Sequence, residues 1–277
     1  MESGLACVAL DLDGTTLGPG GVLSPYTREI LEKLIARGVH VVVASGRSFT
    51  SLPQAVLGIE GVEYAVCSNG ATVWHVPTGA CIRRTVLAPG AVADILHALA
   101  EEKVCFECFI EGRPYADEAY VADPVAHGAS TAAIPYIQST REPVADVKGF
   151  ILSHADELES LDVVVGDPEK KAALWKLLAG LRDDLYVTSS VPQLLEIAHR
   201  NAGKRAGLAA VLAGLGLTES QTVAFGDADN DIDMISWAGI GIAMENGTEG
   251  AKNAADRIAP PNDEDGVARM LESLFAL

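Results

Sequence analysis

The sequence predicts an α/β protein in which a parallel sheet is interrupted by a second, inserted α/β domain. Three short apolar runs, residues 5–10, 39–44 and 222–225, predict buried strands of one sheet. Each run ends abruptly at polar residues, and in open parallel sheets ligands bind at the carboxyl ends of the strands. The long interval between the second and third runs has its own alternation of helix and strand patterns, which predicts the inserted domain.

Two carboxylates follow the first predicted strand. Asp11 and Asp13 are separated by Leu12 and followed by Gly14 and Thr15. A turn at Gly14 can bring both carboxylates toward one ligand, and two close acids favour a hard divalent cation such as Mg²⁺. One carboxylate can then attack a phosphorus atom, while the other gives a proton to the leaving oxygen and takes one from water. The alternative is an ordinary Asp-Gly turn with a solvated acid beside it.

A helix predicted after this motif joins the first two strands into a βαβ unit. Ser24 is the predicted N-cap, Pro25 suits the first turn, and Gly38 ends the helix. The glycine-rich segment 18–21 predicts a flexible turn over the site rather than a dinucleotide-binding loop, because no Gly-x-Gly-x-x-Gly pattern opens a helix here. Further along, residues 69–70 predict the turn of a hairpin.

The second and third predicted strands also end at groups that bind phosphate or metal. Ser45 and Gly46 follow the second strand, and the Ser45 hydroxyl can donate to a phosphate oxygen. The third strand leads into three acids and an amide, namely Asp227, Asp229, Asp231 and Asn230. Lys204 begins a helix predicted to run through residue 215, and its ammonium would offer a point charge to phosphate. Taken alone, a Ser-Gly-Arg sequence is more often a loop than a site, and a lysine at the start of a helix is usually solvated. The acids are also explained by the preference of acidic residues for the first turn of a helix.

Taken together, these four motifs resemble those of the haloacid dehalogenase superfamily of phosphohydrolases. The sequence looks most like the Cof-type subgroup, which carries a large α/β cap of type IIB. Three further segments share the resemblance: residues 68–71, 239–244 and 262–267. The similarity covers both ends of the chain, and it implies a Rossmann-like core with a parallel central sheet.

The resemblance implies catalytic and metal-binding roles for the acidic residues. Asp11 would be the nucleophile that becomes an aspartyl phosphate, and Asp13 would be the general acid and base. Mg²⁺ would be held by the Asp11 carboxylate, the Asp13 main-chain carbonyl and Asp227. Asp231 would support these ligands without touching the ion.

The resemblance also implies which residues hold the phosphate. Ser45 and Lys204 would contact the phosphoryl oxygens, with Gly46 beside them, and Asn230 would orient the phosphate. Arg205 departs from the family pattern, in which a glycine usually follows the lysine. Two adjacent cations therefore compete for the role of Lys204.

We expect residues 1–84 and 191–277 to form the core and residues 85–190 to form the cap. Within the cap the patterns predict helices over 89–102 and 168–181, and strands over 104–110, 150–152, 162–166 and 185–188. By resemblance the cap selects the leaving group, and its closure would exclude water from the site. The cap has eighteen acidic and eight basic residues, which disfavours a second phosphate site within it.

Charge and composition limit the expected partners. The 277-residue chain has a formal charge of −18, which argues against nucleic acid and anionic membranes. No run of eighteen apolar residues occurs and the N-terminal residues lack the basic start of a signal peptide, so we expect a cytoplasmic protein. The five cysteines are scattered through apolar segments, and Cys105 and Cys108 would face opposite sides of a strand. We therefore expect buried thiols rather than disulfides or a metal site.

These observations predict a Mg²⁺-dependent phosphatase that hydrolyses a small phosphomonoester, of the sugar phosphate or cofactor phosphate class. The main alternative is a phosphosugar mutase of the same superfamily, and a third hypothesis is a non-catalytic phosphate-binding regulator. Free phosphate, an isomerised sugar phosphate or neither product would distinguish the three. The sequence leaves the substrate and the oligomeric state open.

Overall fold

The computed structural model describes residues 4–277, which form parts of two compact units. The first unit contains the N-terminal residues through Arg47, together with Leu52–Arg83 and Gly203–Leu277. The second contains Ser48–Ser51 and Arg84–Ala202. Residues 1–3, which belong to the N-terminal segment considered for a signal peptide, lie outside the described residues. Within residues 4–277, every helix is too short or too polar to cross a membrane.

Strands and helices alternate along most of the chain. The strands are β1 (Cys7–Leu10), β2 (His40–Ala44), β3 (Val62–Cys67), β4 (Thr72–His75), β5 (Ala80–Arg84), β6 (Cys105–Ile110), β7 (Arg113–Asp117), β8 (Glu142–Val144), β9 (Ser160–Val164), β10 (Leu185–Thr188), β11 (Leu194–His199), β12 (Thr222–Gly226), β13 (Ile240–Met244) and β14 (Arg257–Ala259). The helices are α1 (Pro25–Ala36), α2 (Gln54–Leu57), α3 (Pro89–Ala98), α4 (Glu118–Ala122), α5 (Ile134–Thr140), α6 (Val147–Ser153), α7 (Pro168–Ala179), α8 (Lys204–Leu215), α9 (Ile232–Ile235), α10 (Glu249–Ala254) and α11 (Gly266–Phe275).

The sheet of the first unit has the strand order β14-β13-β12-β1-β2-β3-β4-β5. All neighbours from β14 to β3 are parallel, whereas β4 is antiparallel to β3. Every residue of β1 and β12 is buried, as expected for parallel strands covered on both faces. On one face, Leu208 and Leu212 of α8 pack against Ala9 and Val42 of the sheet. The predicted parallel α/β core is confirmed.

Local signals fix the ends of two helices in this unit. The Ser24 side chain accepts a hydrogen bond from the Thr27 main-chain N–H at 2.9 Å and so caps α1. Gly38 follows α1 with a φ of 81°, in the left-handed region that glycine adopts at low cost. Helix α8 spans the predicted residues 204–215 and ends at Gly216, whose φ is 70°. Both helix predictions are confirmed.

The sheet of the second unit has the strand order β10-β11-β9-β6-β7-β8. Its strands are antiparallel except for the pair β7 and β8. One face buries Phe106, Leu161 and Ile197 against apolar residues of α3, α6 and α7. Strand β11 pairs with β9 and β10, so the second sheet continues beyond residue 190, where we predicted the inserted domain to end.

The strand predicted over residues 150–152 is wrong. These residues lie in α6, where the Asp146 side chain accepts a hydrogen bond from the Gly149 N–H at 3.0 Å and caps the helix. Ile151 is fully buried in the apolar layer beneath the second sheet. The helices predicted over 89–102 and 168–181 form, but they end earlier, at Ala98 and Ala179.

The cysteines are free thiols. Four of them are buried, and Cys105 and Cys108 pack on opposite faces of β6 as predicted. Cys81 differs from the expectation of a buried thiol because it is exposed on β5.

A row of three buried acids crosses the second sheet. Glu107 lies opposite Asp162, and Asp162 lies opposite Glu196, on three adjacent strands. Arg141 forms an ion pair with Glu107 at 3.0 Å, and the Ser160 hydroxyl donates to Asp162 at 2.7 Å. Burial, together with the neighbouring Glu196 and Glu107 carboxylates, raises the pKa of Asp162 well above its usual value.

Replacing Asp162 with asparagine is expected to stabilise the protein increasingly as pH rises. The pKa of Asp162 is higher in the folded than in the unfolded chain, so between those two values only the unfolded chain releases the proton. Between these two pKa values, each unit of rising pH lowers the unfolding free energy of the wild type by about 1.4 kcal/mol through this group. Asparagine does not titrate, so the variant does not lose this free energy. Urea unfolding of both proteins at several pH values between about 5 and 9 measures the difference.

An Asp183→Asn variant, at an exposed position of the same unit, serves as the control for a lost carboxylate. Its stability should follow that of the wild type with pH. A constant difference between Asp162→Asn and the wild type across this range would contradict the prediction.

Candidate active site

The carboxyl ends of three neighbouring strands carry residues that we predicted for the site. Asp11 follows β1 directly, Ser45 follows β2 and Asp227 follows β12. Strand β1 is parallel to both β12 and β2, so these ends meet at one edge of the sheet. The topology therefore places three of the predicted motifs side by side.

A buried lysine links two of the acids at this edge. The Lys204 Nζ donates to Asp11 Oδ1 and to Asp231 Oδ1, each at 2.6 Å. Lys204 has no exposed surface, although lysine is seldom buried without a partner. Burial favours its neutral form, but the Asp11 and Asp231 carboxylates outweigh that effect and raise the pKa of Lys204 above its usual value. The side chain therefore stays an ammonium at neutral pH.

Asp227 lies beside the turn that follows Asp11. The Thr15 hydroxyl donates to Asp227 Oδ1 at 2.8 Å. Gly14 has a φ of 79°, and a Cβ at this position would lie 2.4 Å from Asp227 Oδ2, so only glycine fits here. Burial raises the pKa of Asp227 to about 7, with a further contribution from the Asp231 carboxylate. Burial likewise raises the pKa of Asp11, and Lys204 offsets only part of the increase.

Asp231 holds the loop that carries Asp227. Its Oδ2 accepts hydrogen bonds from the main-chain N–H groups of Asp227 and Ala228, each at 3.0 Å. Its Oδ1 accepts from Lys204, and the residue is fully buried. Both oxygens of Asp231 are therefore occupied by the protein itself.

The acidic residues suit a divalent cation. One ligand oxygen from each of Asp11, Asp227 and Asp231 lies within 4.8 Å of the others. When ionised, three carboxylates facing one ammonium carry an excess of two negative charges, which a divalent cation would balance. Carboxylate oxygens are the donors that hard cations such as Mg²⁺ prefer. Because both Asp231 oxygens already accept hydrogen bonds, Asp11 and Asp227 offer the better ligands.

The Asp13 side chain is paired with an arginine that the sequence analysis did not assign to the site. Arg47 donates from Nε and Nη2 to the two Asp13 oxygens, both at 2.6 Å. The Asp13 side chain is 50% exposed and that of Arg47 is 12% exposed. The Arg47 main-chain N–H also donates to the Ser45 hydroxyl at 3.2 Å, and half-buried Gly46 lies between them in the chain. Arg47 directly follows Ser45 and Gly46 in the sequence, which was a signal that it lies near the site, although its pairing with Asp13 was not visible there.

Asn230 is buried, and its Nδ2 donates to the Oδ1 of Asn69 at 2.9 Å. Asn69 belongs to the segment 68–71, which we noted for its resemblance but did not assign to the site.

Of the two adjacent cations at the start of α8, Lys204 reaches the acids. The guanidinium of Arg205 lies over the Trp237 ring instead, 5.6 Å from its centre. The Arg205 main-chain N–H donates to Asp233 at 3.2 Å. The structure thus brings together Asp11, Lys204, Asp227 and Asp231, with Ser45 and Asn230 on adjoining loops.

The model of one protein family, the haloacid dehalogenase-like hydrolases, matches residues 8–271. The chain belongs to this family. The haloacid dehalogenase resemblance that the four motifs predicted is confirmed, and the acids and lysine described above are carried on the fold of that family.

Two named phosphatases and one solved structure are similar to this chain over nearly its full length. It is 28% identical to the 5-amino-6-(5-phospho-D-ribitylamino)uracil phosphatase YitU of Bacillus subtilis, over 100% of both chains. It is 30% identical to the phosphatase YwpJ of the same organism, over 97% of this chain and 99% of that one. The solved structure of the subclass IIB sugar phosphatase BT4131 shares the fold, with a TM-score of 0.81 at 19% identity over 98% of this chain and 99% of that one. The prediction of a phosphatase of this superfamily is confirmed.

Proposed function

We propose that this enzyme is a Mg²⁺-dependent phosphomonoesterase that acts on small phosphorylated metabolites through a phosphorylated Asp11. The observation that carries the proposal is the buried contact of Lys204 with Asp11 and Asp231 beside Asp227. Burying this many charged groups lowers the stability of the fold unless opposite charges compensate them. A site that binds a cation and an anionic substrate accounts for their presence. YitU, a relative over the whole chain, is named for a phosphorylated ribityl substrate, which supports the sugar phosphate or cofactor phosphate class.

The substrate phosphate would lie at the edge of the first sheet. We assign its oxygens to the Ser45 hydroxyl, the Gly46 main chain, the Lys204 ammonium and the Asn230 amide. The Mg²⁺ ion would be held by Asp11, Asp227 and the Asp13 main-chain carbonyl, and when bound it would offset negative charge on the phosphoryl group. Lys204 already offsets the charge of Asp11 in the structure, which lets an anionic substrate approach an anionic nucleophile.

The reaction would proceed in two displacements at phosphorus. In the first, a carboxylate oxygen of Asp11 bonds to phosphorus while the bond to the leaving oxygen breaks, and Asp13 gives that oxygen a proton. In the second, a water oxygen attacks the same phosphorus, its proton passes to Asp13, and the bond to Asp11 breaks to release inorganic phosphate. The two hydrogen bonds from Arg47 fix the plane of the Asp13 carboxylate.

We propose that the second unit is the cap that selects the leaving group. It has its own sheet and its own apolar layer, as a separately folded insertion should.

The proposed function predicts that phosphate release depends on a divalent ion. The purified enzyme should release phosphate from an aryl phosphate and from members of a sugar phosphate panel in Mg²⁺, should lose this activity in EDTA, and should recover it when Mg²⁺ is returned in excess. The excess negative charge of the acidic residues is the physical reason. Undiminished release in EDTA would contradict the metal dependence, and an isomerised sugar phosphate without free phosphate would identify a mutase instead.

A further inference from the structure

The loop at the carboxyl end of β3 has three successive residues in a left-handed backbone conformation. Ser68, Asn69 and Gly70 have successive φ values of 49°, 50° and 81°, all in the left-handed region. Only the third is a glycine; asparagine tolerates this conformation, whereas Ser68 is held in one that disfavours it. All three are buried. Such conformations persist where the surroundings impose them, and they concentrate at functional sites.

Main-chain hydrogen bonds tie this loop to the loop that carries Ser45. The Ser68 N–H donates to the Arg47 carbonyl at 2.9 Å, and the Asn69 N–H donates to the Ser45 carbonyl at 3.2 Å. The conformation of the Ser68–Gly70 loop and the position of Ser45 therefore depend on each other.

The same loop contacts the residue that precedes Lys204. The Gly203 N–H donates to the Asn69 carbonyl at 2.7 Å. A Cβ on Gly70 would lie 1.9 Å from the Gly203 carbonyl oxygen, so the two backbones approach too closely for any side chain at position 70. The start of α8, and with it Lys204, is thus fixed against this loop.

The Asn69 side chain makes the third connection, to Asn230. Asn69 Oδ1 accepts from Asn230 Nδ2 at 2.9 Å, and both residues are almost fully buried. An acceptor at this position requires a nitrogen of the Asn230 amide to face it, which fixes the orientation of that amide. Asn230 Oδ1 and the Ser68 hydroxyl are buried without a hydrogen-bond partner in the described part of the chain. Unmet polar groups are costly, and the Ser68 hydroxyl can donate to a bound anion, so its presence here fits a site that a ligand completes; the Asn230 oxygen is an acceptor, which a phosphate oxygen does not satisfy.

We propose that Asn69 is a positioning residue for phosphate binding, which sets the Asn230 amide and joins the loops of Ser45 and Lys204. This inference rests on the proposed function, because Asn230, Ser45 and Lys204 are assigned there to the phosphate. Asn69 itself acts through Asn230: its side-chain oxygen meets the Asn230 amide, and its main chain meets Ser45 and Gly203.

An Asn69→Gly variant tests the role of the side chain alone. Glycine keeps the left-handed backbone and its hydrogen bonds, and it removes only the acceptor for Asn230. We expect kcat/KM for phosphate release in Mg²⁺ to fall about 10- to 100-fold, mostly through kcat, because a displaced phosphate contact costs this much. The far-ultraviolet circular dichroism should stay close to that of the wild type, and the thermal midpoint should fall by only a few degrees, because the variant leaves the buried Asn230 amide without its acceptor.

A double-mutant cycle with Asn230→Ala separates positioning from a general structural effect. If Asn69 acts through Asn230, Asn69→Gly should lower kcat less than about threefold further in the Asn230→Ala background. The proposal is overturned if the kcat losses of the two single variants multiply in the double variant, or if Asn69→Gly keeps the kcat of the wild type. Should Asn69→Gly fail to fold, Asn69→Ser, whose side chain is one atom too short to reach Asn230, replaces it in the cycle. Wild-type activity is measured alongside, so a protein that releases no phosphate at all refutes the proposed function and not the role of Asn69.

Discussion

Replacing Asp11 with asparagine is expected to reduce phosphate release by at least about 10³-fold, as is usual when a nucleophile is removed. An amide at this position cannot form the bond to phosphorus that the proposed first displacement requires. The substitution is nearly isosteric, and the amide oxygen can still accept a hydrogen bond from Lys204 Nζ, which lies 2.6 Å from Asp11 Oδ1. We therefore expect Asp11→Asn to fold like the wild type but not to release phosphate.

The measurement is kcat for phosphate release from the best substrate of the panel, at saturating Mg²⁺. Asp183→Asn, the exposed control used above, should keep the wild-type kcat. Circular dichroism of each variant shows whether the fold is intact. Activity of Asp11→Asn within tenfold of the wild type would exclude Asp11 as the nucleophile.

Replacing Lys204 with methionine is expected to lower the free energy of unfolding by about 3–5 kcal/mol, the cost of breaking a buried ion pair from one side. Methionine fills much of the same volume, so the loss comes from charge rather than from a cavity. Asp11 and Asp231 would be left as buried acids without the ammonium that now lies 2.6 Å from each. Phosphate release should be lost in the same variant, since the proposed phosphate contact is gone.

Urea unfolding in EDTA measures this effect without any contribution from a bound metal. Lys33→Met is the matched control, because Lys33 forms an ion pair of similar length, 2.7 Å, with Glu29 on the surface of α1. An exposed pair of this kind contributes only about 0.3–0.5 kcal/mol, so the control should unfold almost as the wild type does. Equal losses in the two variants would show that the buried ammonium does not stabilise the acids.

Residues near the ends of helices in the sequence predicted where those helices begin or end. Helix α1 begins at the capping Ser24, and left-handed glycines follow α1 and end α8; these residues are visible in the sequence. The segment 150–152 shows the limit of this approach, because three apolar residues fit a strand and a buried helix equally well. Asp146, four residues before Phe150, was a capping signal that favoured the helix.

The part of the site at the strand ends was predictable because its residues follow strands. Each of Asp11, Ser45 and Asp227 stands directly after an apolar run, and parallel strands bring such positions together. Arg47 and Asn69 were missed for a different reason. Their partners, Asp13 and Asn230, are distant in sequence, and only the folded chain shows that Arg47 reaches one and Asn69 the other.

The order of strands in the first sheet also determines how early the site can form while the chain is being synthesised. Strand β1 lies between β2 and β12, and its partner β12 is made only after more than two hundred further residues. Lys204 is 193 residues from Asp11, so a nascent chain that has not reached α8 has an acid at the end of β1 and no cation to pair with it. Pairings over such separations form late and slowly. Until β12 has been made, β1 keeps one open edge, and the site is incomplete before Asp227 and Asp231 have been added.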